Sequence, residues 1–387
     1  MADPAPLPLA GMFVVEIGHS LAGPFAGMVL ADLGATVLKV ENAGKGDHAR
    51  DWGPPFAAGA AVLFHAVNRG KRSLRADLRD PGTAAALRAL ILDRADVVLQ
   101  NLRVGTLDAV GLGGPALTEA KPSLVYCNIG AFGHRGPQRN DPGYDPLIQA
   151  ASGLMSMLGH PGEPASRVPV AINDIGTGIW AALGILAALL RRKDTGRGGI
   201  VDVSLYETAL AWLTVPASDY LASGLLPERL GSGVGNIVPH QAFDCADGPI
   251  MIAAGNDLLF ARLCAALGLP GLATDPRFAT NGGRVANRTT LIVLLAEAVR
   301  LRTTQELSAA LAAAGVPCGP VLTLDAALAH PQTQALGMLA ATPEDGVRTV
   351  ALPVSFDGHR PPLAGRAPRL GEHQHMLATA PIKEDAP

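Results

Sequence analysis

The stretch that most constrains the fold is Met12 to Glu41. A β-branched run, MFVVEIG (12–18), leads through the loop HSLAGP into PFAGMVLADLGA, whose apolar residues recur at helical spacing. A second apolar run, TVLKVE (36–41), follows. Short apolar runs bounded by Gly and Pro fit strands covered on both faces, and a helix between two of them makes the pair parallel. The rhythm recurs downstream. PGTAAALRALILDRA (81–95) reads as a helix with Pro in its first turn. DVVLQN (96–101) and SLVYCNIG (123–130) read as strands, and GGIVDVSLYETALAW (198–212) as a strand leading into a helix. The expected class is α/β with a doubly wound, Rossmann-like parallel sheet. After about Pro216 the texture changes to the Gly- and Pro-rich run 222–243, a hairpin arm at 247–257 and three amphipathic helices. We expect a large Rossmann-like domain over 1–214, a small α+β domain over 215–325, and a return segment, 326–387, that completes the large domain.

One acid interrupts the most apolar part of the chain. Asp174 stands in VAINDIGTGIWAALGILAALLRRKDTG (170–196), just ahead of an Ala/Leu/Ile helix that ends in Arg191, Arg192 and Lys193. A carboxylate there suits a helix cap, where it accepts free N–H groups at the positive end of the dipole. It equally suits a nucleophile, because Gly176 and Gly178 would let a ligand approach the backbone. The residues alone leave both readings open. An unperturbed Asp is ionised at neutral pH, so neither reading asks for a shifted pKa.

Two basic segments flank one predicted sheet edge. NAGKGDHARDWGPPF (42–56) carries Lys45, His48 and Arg50, and NRGKRSLRADLRDP (68–81) carries Lys71, Arg72, Arg75 and Arg79. Ligands of open α/β sheets bind beyond the C-terminal strand ends, so these cations read either as a polyphosphate cradle or as solvated loop residues. Asn101 and Arg103 leave a third strand at the same end. The polar loop 131–146 delivers His134, Tyr144 and Asp145, the last two also suited to start the next helix.

Several classes are disfavoured. A net charge of −3 gives no electrostatic footprint for nucleic acid or an anionic membrane. MADPAPLPLAG lacks the features of a signal peptide, and the apolar helix near Trp180 to Leu190 reads as too short to span a bilayer. Cys127, Cys245, Cys264 and Cys318 show neither metal nor pairing patterns and read as reduced thiols of a cytoplasmic protein. HSLAGP supplies no G-x-G-x-x-G, which counts against a nicotinamide-dependent oxidoreductase.

In order along nearly the whole chain, LAGPFAGMVLADLGATVLKVE (21–41), GDHARDWGPPF (46–56), NRGKRSLRADL (68–78), ADVVLQNLRVG (95–105), PGYDPLIQAASGLM (142–155), NDIGTGIWAALGILAALLRRKDTGRGG (173–199) and AGVPCGPV (314–321) resemble the class III coenzyme A transferases, the formyl-CoA and carnitine CoA-transferase group. The resemblance implies a Rossmann-like large domain that receives both termini, a small domain, and an interlocked homodimer. It implies Asp174 as nucleophile, supported by Asp145 and Tyr144. It implies CoA contacts at Ser20, Leu21, Ala22, Asn42, Ala76, Arg79, Asn101 and Leu102, to which charge adds Lys45 and Arg103. No tightly bound cofactor or metal is implied: CoA enters as acyl-CoA substrate, with a free carboxylic acid as acceptor.

The sequence departs from formyl-CoA transferase at four places, the mildest being Asp145 where that enzyme has a Glu. Leu21 stands where that enzyme has Gln, Ala109 aligns with a phosphate-contacting Arg, and Gly231–Gly235 only partly matches a tetraglycine loop. Leu21 and IVPHQAF (237–243) are more similar to the dicarboxylate-using branch, with succinyl-CoA the expected donor. Arg167 and His240 are further candidates for a second substrate carboxylate. The α-methylacyl-CoA racemases share the resemblance, with the aligned Asp as a base, but their partner His is replaced here by Tyr144. A non-catalytic CoA-binding protein is a further alternative.

Overall fold

The computed structural model describes residues 6–378. Six strands form one sheet: β1 (Phe13–Ile17), β2 (Thr36–Asn42), β3 (Arg72–Ala76), β4 (Val97–Gln100), β5 (Val125–Gly130) and β6 (Gly199–Ser204). Their spatial order is β3-β2-β1-β4-β5-β6, with every pair parallel. The expected α/β class with a parallel sheet holds. Chain order reverses between β1 and β4, so the connections leaving these two strands diverge and open a crevice at their C-terminal ends.

Alternate strand residues enter opposite cores, as the two-residue period requires. Val14, Val37, Val97 and Val125 pack on one face with Leu30 of α1 (Ala22–Asp32) and Ile185 of α6 (Ile172–Thr195). Val15, Leu38, Leu74 and Val98 pack on the other with Leu87 and Ile91 of α3 (Pro81–Arg94). The short helices α2 (Val62–Asn68), α4 (Gly114–Ala120), α5 (Asp145–Ala151) and α7 (Leu205–Trp212) complete this unit's main helices.

Helix α6 corrects two expectations. Its 24 residues are long and apolar enough to cross a membrane, not short of it. Its packing is that of a core helix, with Ala181, Ala182, Ile185, Ala188 and Leu189 buried. Its glycines also do something other than admit a ligand. A Cβ on Gly176 would lie 2.4 Å from Trp212 Cζ2 of α7, and one on Gly178 would lie 2.9 Å from the Ala22 carbonyl oxygen of α1. These are the crossing points where α6 seats against its neighbours.

The chain divides into two compact units, 1–152 with 169–214 and 331–387, and 153–168 with 215–330. The second holds an antiparallel sheet of β7 (His240–Asp244), β8 (Pro249–Ala253) and β9 (Cys318–Pro320), with β8 central. Around it stand α8 (Asp257–Ala266), α9 (Arg288–Val299) and α10 (Thr304–Ala313), the last opened by a Thr303/Glu306 capping box. Phe243, Ile252, Phe260, Leu263, Leu291 and Leu295 form a separate core.

The boundaries differ from the expected 1–214 and 215–325. Residues 153–168 join the second unit because Arg229 donates to the carbonyls of Ser156 at 3.0 Å and Glu163 at 2.6 Å, and Gly231 N–H to Gly159 O at 2.9 Å. Arg167 and His240 therefore both lie in the second unit. So does the Gly231–Gly235 loop, where a Cβ on Gly231 would meet the His160 ring at 2.3 Å.

The return segment is largely irregular but firmly attached. Gly70 N–H donates to Arg366 O at 3.0 Å, Arg50 to Pro368 O at 3.1 Å, and His373 N–H to Ser73 O at 2.9 Å. Gln374 bonds Arg75 through both ends of its amide. Cys127, Cys245 and Cys264 are buried, Cys318 is half-buried, and all four are free thiols.

Candidate active site

The crevice begins where β1 runs out. Beneath it lies a network of buried charges. The Lys39 ammonium, from β2, is fully enclosed and contacts Glu16 Oε1 at 2.9 Å, Asp47 Oδ2 at 2.8 Å and the Gly18 carbonyl at 2.9 Å. Lys71 meets Glu16 Oε2 at 2.7 Å and also donates to Pro24 O and Asn68 Oδ1. Arg50 forks onto Glu41 with bonds of 2.8 and 2.7 Å, and Ser73 Oγ donates to the same carboxylate at 2.6 Å.

Buried ions persist only when paired and hydrogen-bonded, and here they are. Burial pushes the Asp47 and Glu41 carboxyls up, yet Lys39 beside Asp47 and Arg50 beside Glu41 outweigh it and hold both below the usual range. Burial would likewise discharge Lys39, but Glu16, Asp47 and Glu41 raise its pKa. Lys71 is pushed down to about 8, because burial and Lys39 oppose what Glu16 supplies.

Lys71 and Arg50 are therefore part of the scaffold, a correction to the reading that their loops offer these cations to phosphates. Arg75 is turned onto the Ala43 carbonyl. Arg79 pairs with Asp77 at 2.9 Å but remains exposed and open to a ligand.

The turn above this network carries His19 and Ser20. Asn101 accepts from His19 N–H at 2.9 Å and donates to His19 O at 2.8 Å. Asp47 Oδ1 accepts from Ser20 N–H and Ala49 N–H, each at 2.9 Å. Ser20 is left-handed, with φ +70°, and its hydroxyl lies 2.9 Å from His19 Nδ1. Burial lowers the His19 pKa against the pull of Asp47, which favours the neutral ring at pH 7.

Asp174 reaches the crevice from α6. Rather than preceding the helix, it is the third residue inside, and the N-cap position is held by Ala171, which offers no side-chain cap bond. The cap comes from α5: Asp145, 2% exposed, accepts from Asn173 N–H at 2.9 Å and from Gln149 Nε2 at 2.7 Å. Tyr144 is the N-cap residue of α5 and is 60% exposed. Asp174 is half-buried and, among the described residues, forms no ion pair. Withdrawal from water, with the Asp145 charge adding to it, pushes its carboxyl up to about 7. The expectation of an ordinary, fully ionised Asp is overturned for that reason.

Asp174 opens on a cavity of about 340 Å³ whose lining includes Ser20, Leu21, Ala22, Asn101, Leu102, Arg103 and Tyr144. A second cavity, of about 270 Å³, is lined by Asn42, Ala76, Arg79 and Leu102 among others. His19, His48 and Leu102 line both. Asp145 lies buried and lines neither cavity, and Lys45 also lines neither. His19, Asp47 and Arg139 are site residues that the sequence reading did not select, and His48, read there as a loop cation, lines both cavities. Arg139, exposed on the loop before α5, lines the Asp174 cavity together with Arg103. The available signal was positional: His19 stands in the loop after the first strand, at the topological switch point, next to the CoA contacts Ser20, Leu21 and Ala22 that the resemblance implies.

A family model described as CoA-transferase family III matches residues 9–374. The chain is 39% identical over 379 residues to a succinate–glutarate CoA-transferase of Agrobacterium fabrum, covering 96% of this chain and 94% of that one. It is 36% identical to an acetyl-CoA:oxalate CoA-transferase of Acetobacter aceti over 96% and 95% of the two chains. A crystal structure of a CAIB/BAIF family protein from Brucella suis superposes with a TM-score of 0.84 at 42% identity, over 96% of this chain and 99% of that one.

Proposed function

Because this chain belongs to CoA-transferase family III and is a transferase of coenzyme A, we propose that it moves CoA from succinyl-CoA or a similar donor to a free dicarboxylic acid through Asp174. The observation that carries the reading is an unpaired, half-buried carboxyl with its pKa near 7, facing a cavity with Arg103 and Arg139 on its wall. A carboxylate so placed is a nucleophile once ionised, and it lacks a cation that would quench it.

The steps balance without a redox partner. An Asp174 oxygen attacks the thioester carbonyl, the C–S bond breaks, and a mixed anhydride and CoA thiolate result. The thiolate attacks the Asp174 acyl carbon, the anhydride C–O bond breaks, and the donor acid leaves as its carboxylate. An acceptor carboxylate then attacks the aspartyl-CoA thioester and releases the thiolate. That thiolate attacks the acceptor's carbonyl, giving the new acyl-CoA and freeing Asp174. Each intermediate is hydrolysable, so the enclosure around Asp174 serves the chemistry by limiting water.

CoA's nucleotide end fits the cavity of Asn42, Ala76 and Arg79, and its thioester end the cavity of Ser20, Asn101 and Asp174. Ala109 supplies no cation, and Arg103 and Arg139 are the exposed cations that take over the phosphate or carboxylate contacts. The interlocked homodimer and a cytoplasmic setting belong to the same reading. Apolar side chains left exposed on α6 and α7, including Trp180, Leu183 and Trp212, support a partner surface.

Incubation with succinyl-CoA and no acceptor is expected to leave a CoA thioester on Asp174, read by mass spectrometry. Asp174→Ala is expected to abolish both the adduct and acid exchange, and retained exchange would sink the assignment. A pKa near 7 also suits a proton-abstracting base, the reading that a racemase would require. Exchange of the acyl α-proton with solvent, with no exchange of acids, would decide for that reading instead.

A further inference from the structure

We propose that Asn101 and Asp47 are positioning residues for the transfer: together they hold the segment Gly18–Ser20 so that Ser20 keeps a left-handed backbone and His19 and Ser20 stand in the wall of the Asp174 cavity. The proposal rests on the reading of Asp174 given above.

The turn's backbone is held by side chains. Gly18 O accepts from Lys39, His19 N–H donates to Asn101 Oδ1, His19 O accepts from Asn101 Nδ2, and Ser20 N–H donates to Asp47 Oδ1. The partners come from β2, from the loop after β2 and from the residue after β4. A strand's last residues ordinarily hand their hydrogen bonds to the next backbone element. Here the polar groups from Gly18 O to Ser20 N–H are instead met by three separate side chains.

That arrangement matches what Ser20 requires. A residue with a Cβ at φ +70° is strained, and such strain persists only where its surroundings over-determine it. Asn101 is also wedged beneath the turn: a Cβ on Gly18 would lie 2.7 Å from its Oδ1, and one on Gly23 would lie 3.2 Å from its Cγ. Released from Asn101 and Asp47, Ser20 relaxes toward negative φ. Its hydroxyl and the hydrogen-bonded His19 ring then swing out of the positions they hold over the cavity. Glycine at 20 removes the reason for the clamp, because glycine adopts this φ without strain.

The test is a pair of double-mutant cycles against Ser20→Gly. Asn101→Ala in the native background is expected to lower kcat for acyl-CoA-dependent acid exchange roughly tenfold, with a smaller change in KM. In the Ser20→Gly background the same substitution is expected to cost about twofold or less. Asp47→Ala is expected to follow the same pattern. Melting temperature gives an independent readout, with each substitution lowering it less when residue 20 is glycine.

Equal losses in both backgrounds, in rate or in melting temperature, would overturn the proposal and leave Asn101 a direct CoA contact or a general stabiliser. If Asp47→Ala does not fold, the uncharged Asn101→Ala cycle decides. If Ser20→Gly is itself inactive, the melting cycle decides. Failure of the Asp174 reading is separately visible, as wild-type protein that traps no CoA thioester.

Discussion

Two regions of the large unit bury carboxylates beside the same crevice and treat them in opposite ways. Under the β1 turn, Asp47 and Glu41 are each matched to a cation and held below their usual pKa. At the start of α6, Asp145 is tied to an N–H and an amide, while Asp174 meets no cation and is pushed up to about 7. The first region is compensated charge, which fixes geometry and has no free capacity to react. The second is uncompensated charge, which lowers stability and leaves a carboxylate available. Burial alone does not separate scaffold from chemistry; the presence or absence of a partner does.

The strongest way to break the contrast is Lys39→Met, which strands Asp47 without its cation and leaves Glu16 with Lys71 alone. Removing one partner of a buried ion pair costs about 3–5 kcal/mol, so a large fall in the urea midpoint is expected. A fall within a few tenths of a kcal/mol would mean that the network is not what orders the turn.

Asp174→Asn should act in the opposite direction. The folded pKa near 7 lies above the ordinary 3.8, so the native state holds an extra proton between those values and loses stability as pH rises through the window. The variant is therefore expected to be more stable than the native chain at pH 8, by about 1–2 kcal/mol after allowing for water at the half-open carboxyl. That gain should vanish below about pH 4. Thermal melts at the two pH values check it, and a variant less stable than the native chain at pH 8 would contradict the uncompensated charge.

The smallest effect sharpens the origin of the shift. Acyl-CoA consumption is expected to rise with pH through an inflection near 7, as Asp174 ionises. Asp145→Asn keeps an acceptor for the Asn173 N–H but removes the like charge, the lesser of the two causes. The inflection should then move down by less than about one unit. An unmoved inflection would assign the whole shift to burial.

The sheet was legible in the sequence because strands buried on both faces leave continuous β-branched runs, as in MFVVEIG and TVLKVE, and helices between them leave 3.6-residue spacing. Asp174 was legible as a lone acid in an apolar stretch. Its environment was not: Asp145 lies 29 positions earlier, and no local pattern says which of two acids will cap α6. Gly176 and Gly178 misled for a similar reason, since small residues that admit a ligand and small residues that admit a neighbouring helix look alike until α1 and α7 are in place. The loss of Lys71 and Arg50 to buried partners was hidden likewise, because Glu16 and Glu41 sit on strands that reach them only through the fold.

The return segment has a consequence for how the chain is made. β3 is an edge strand, and its exposed side is bonded by His373 and Gln374, some 300 positions later. During synthesis the large unit must wait with that edge uncovered while residues 215–330, an uninterrupted stretch with its own core, emerge and become able to fold. An open β edge is a template for pairing with other chains, so a ribosome stall or nonsense codon ahead of residue 373 is expected to release an aggregation-prone product rather than a weak enzyme. His373 and Gln374 thus act as a seal on synthesis, and their loss would be felt first in yield from the cell rather than in turnover.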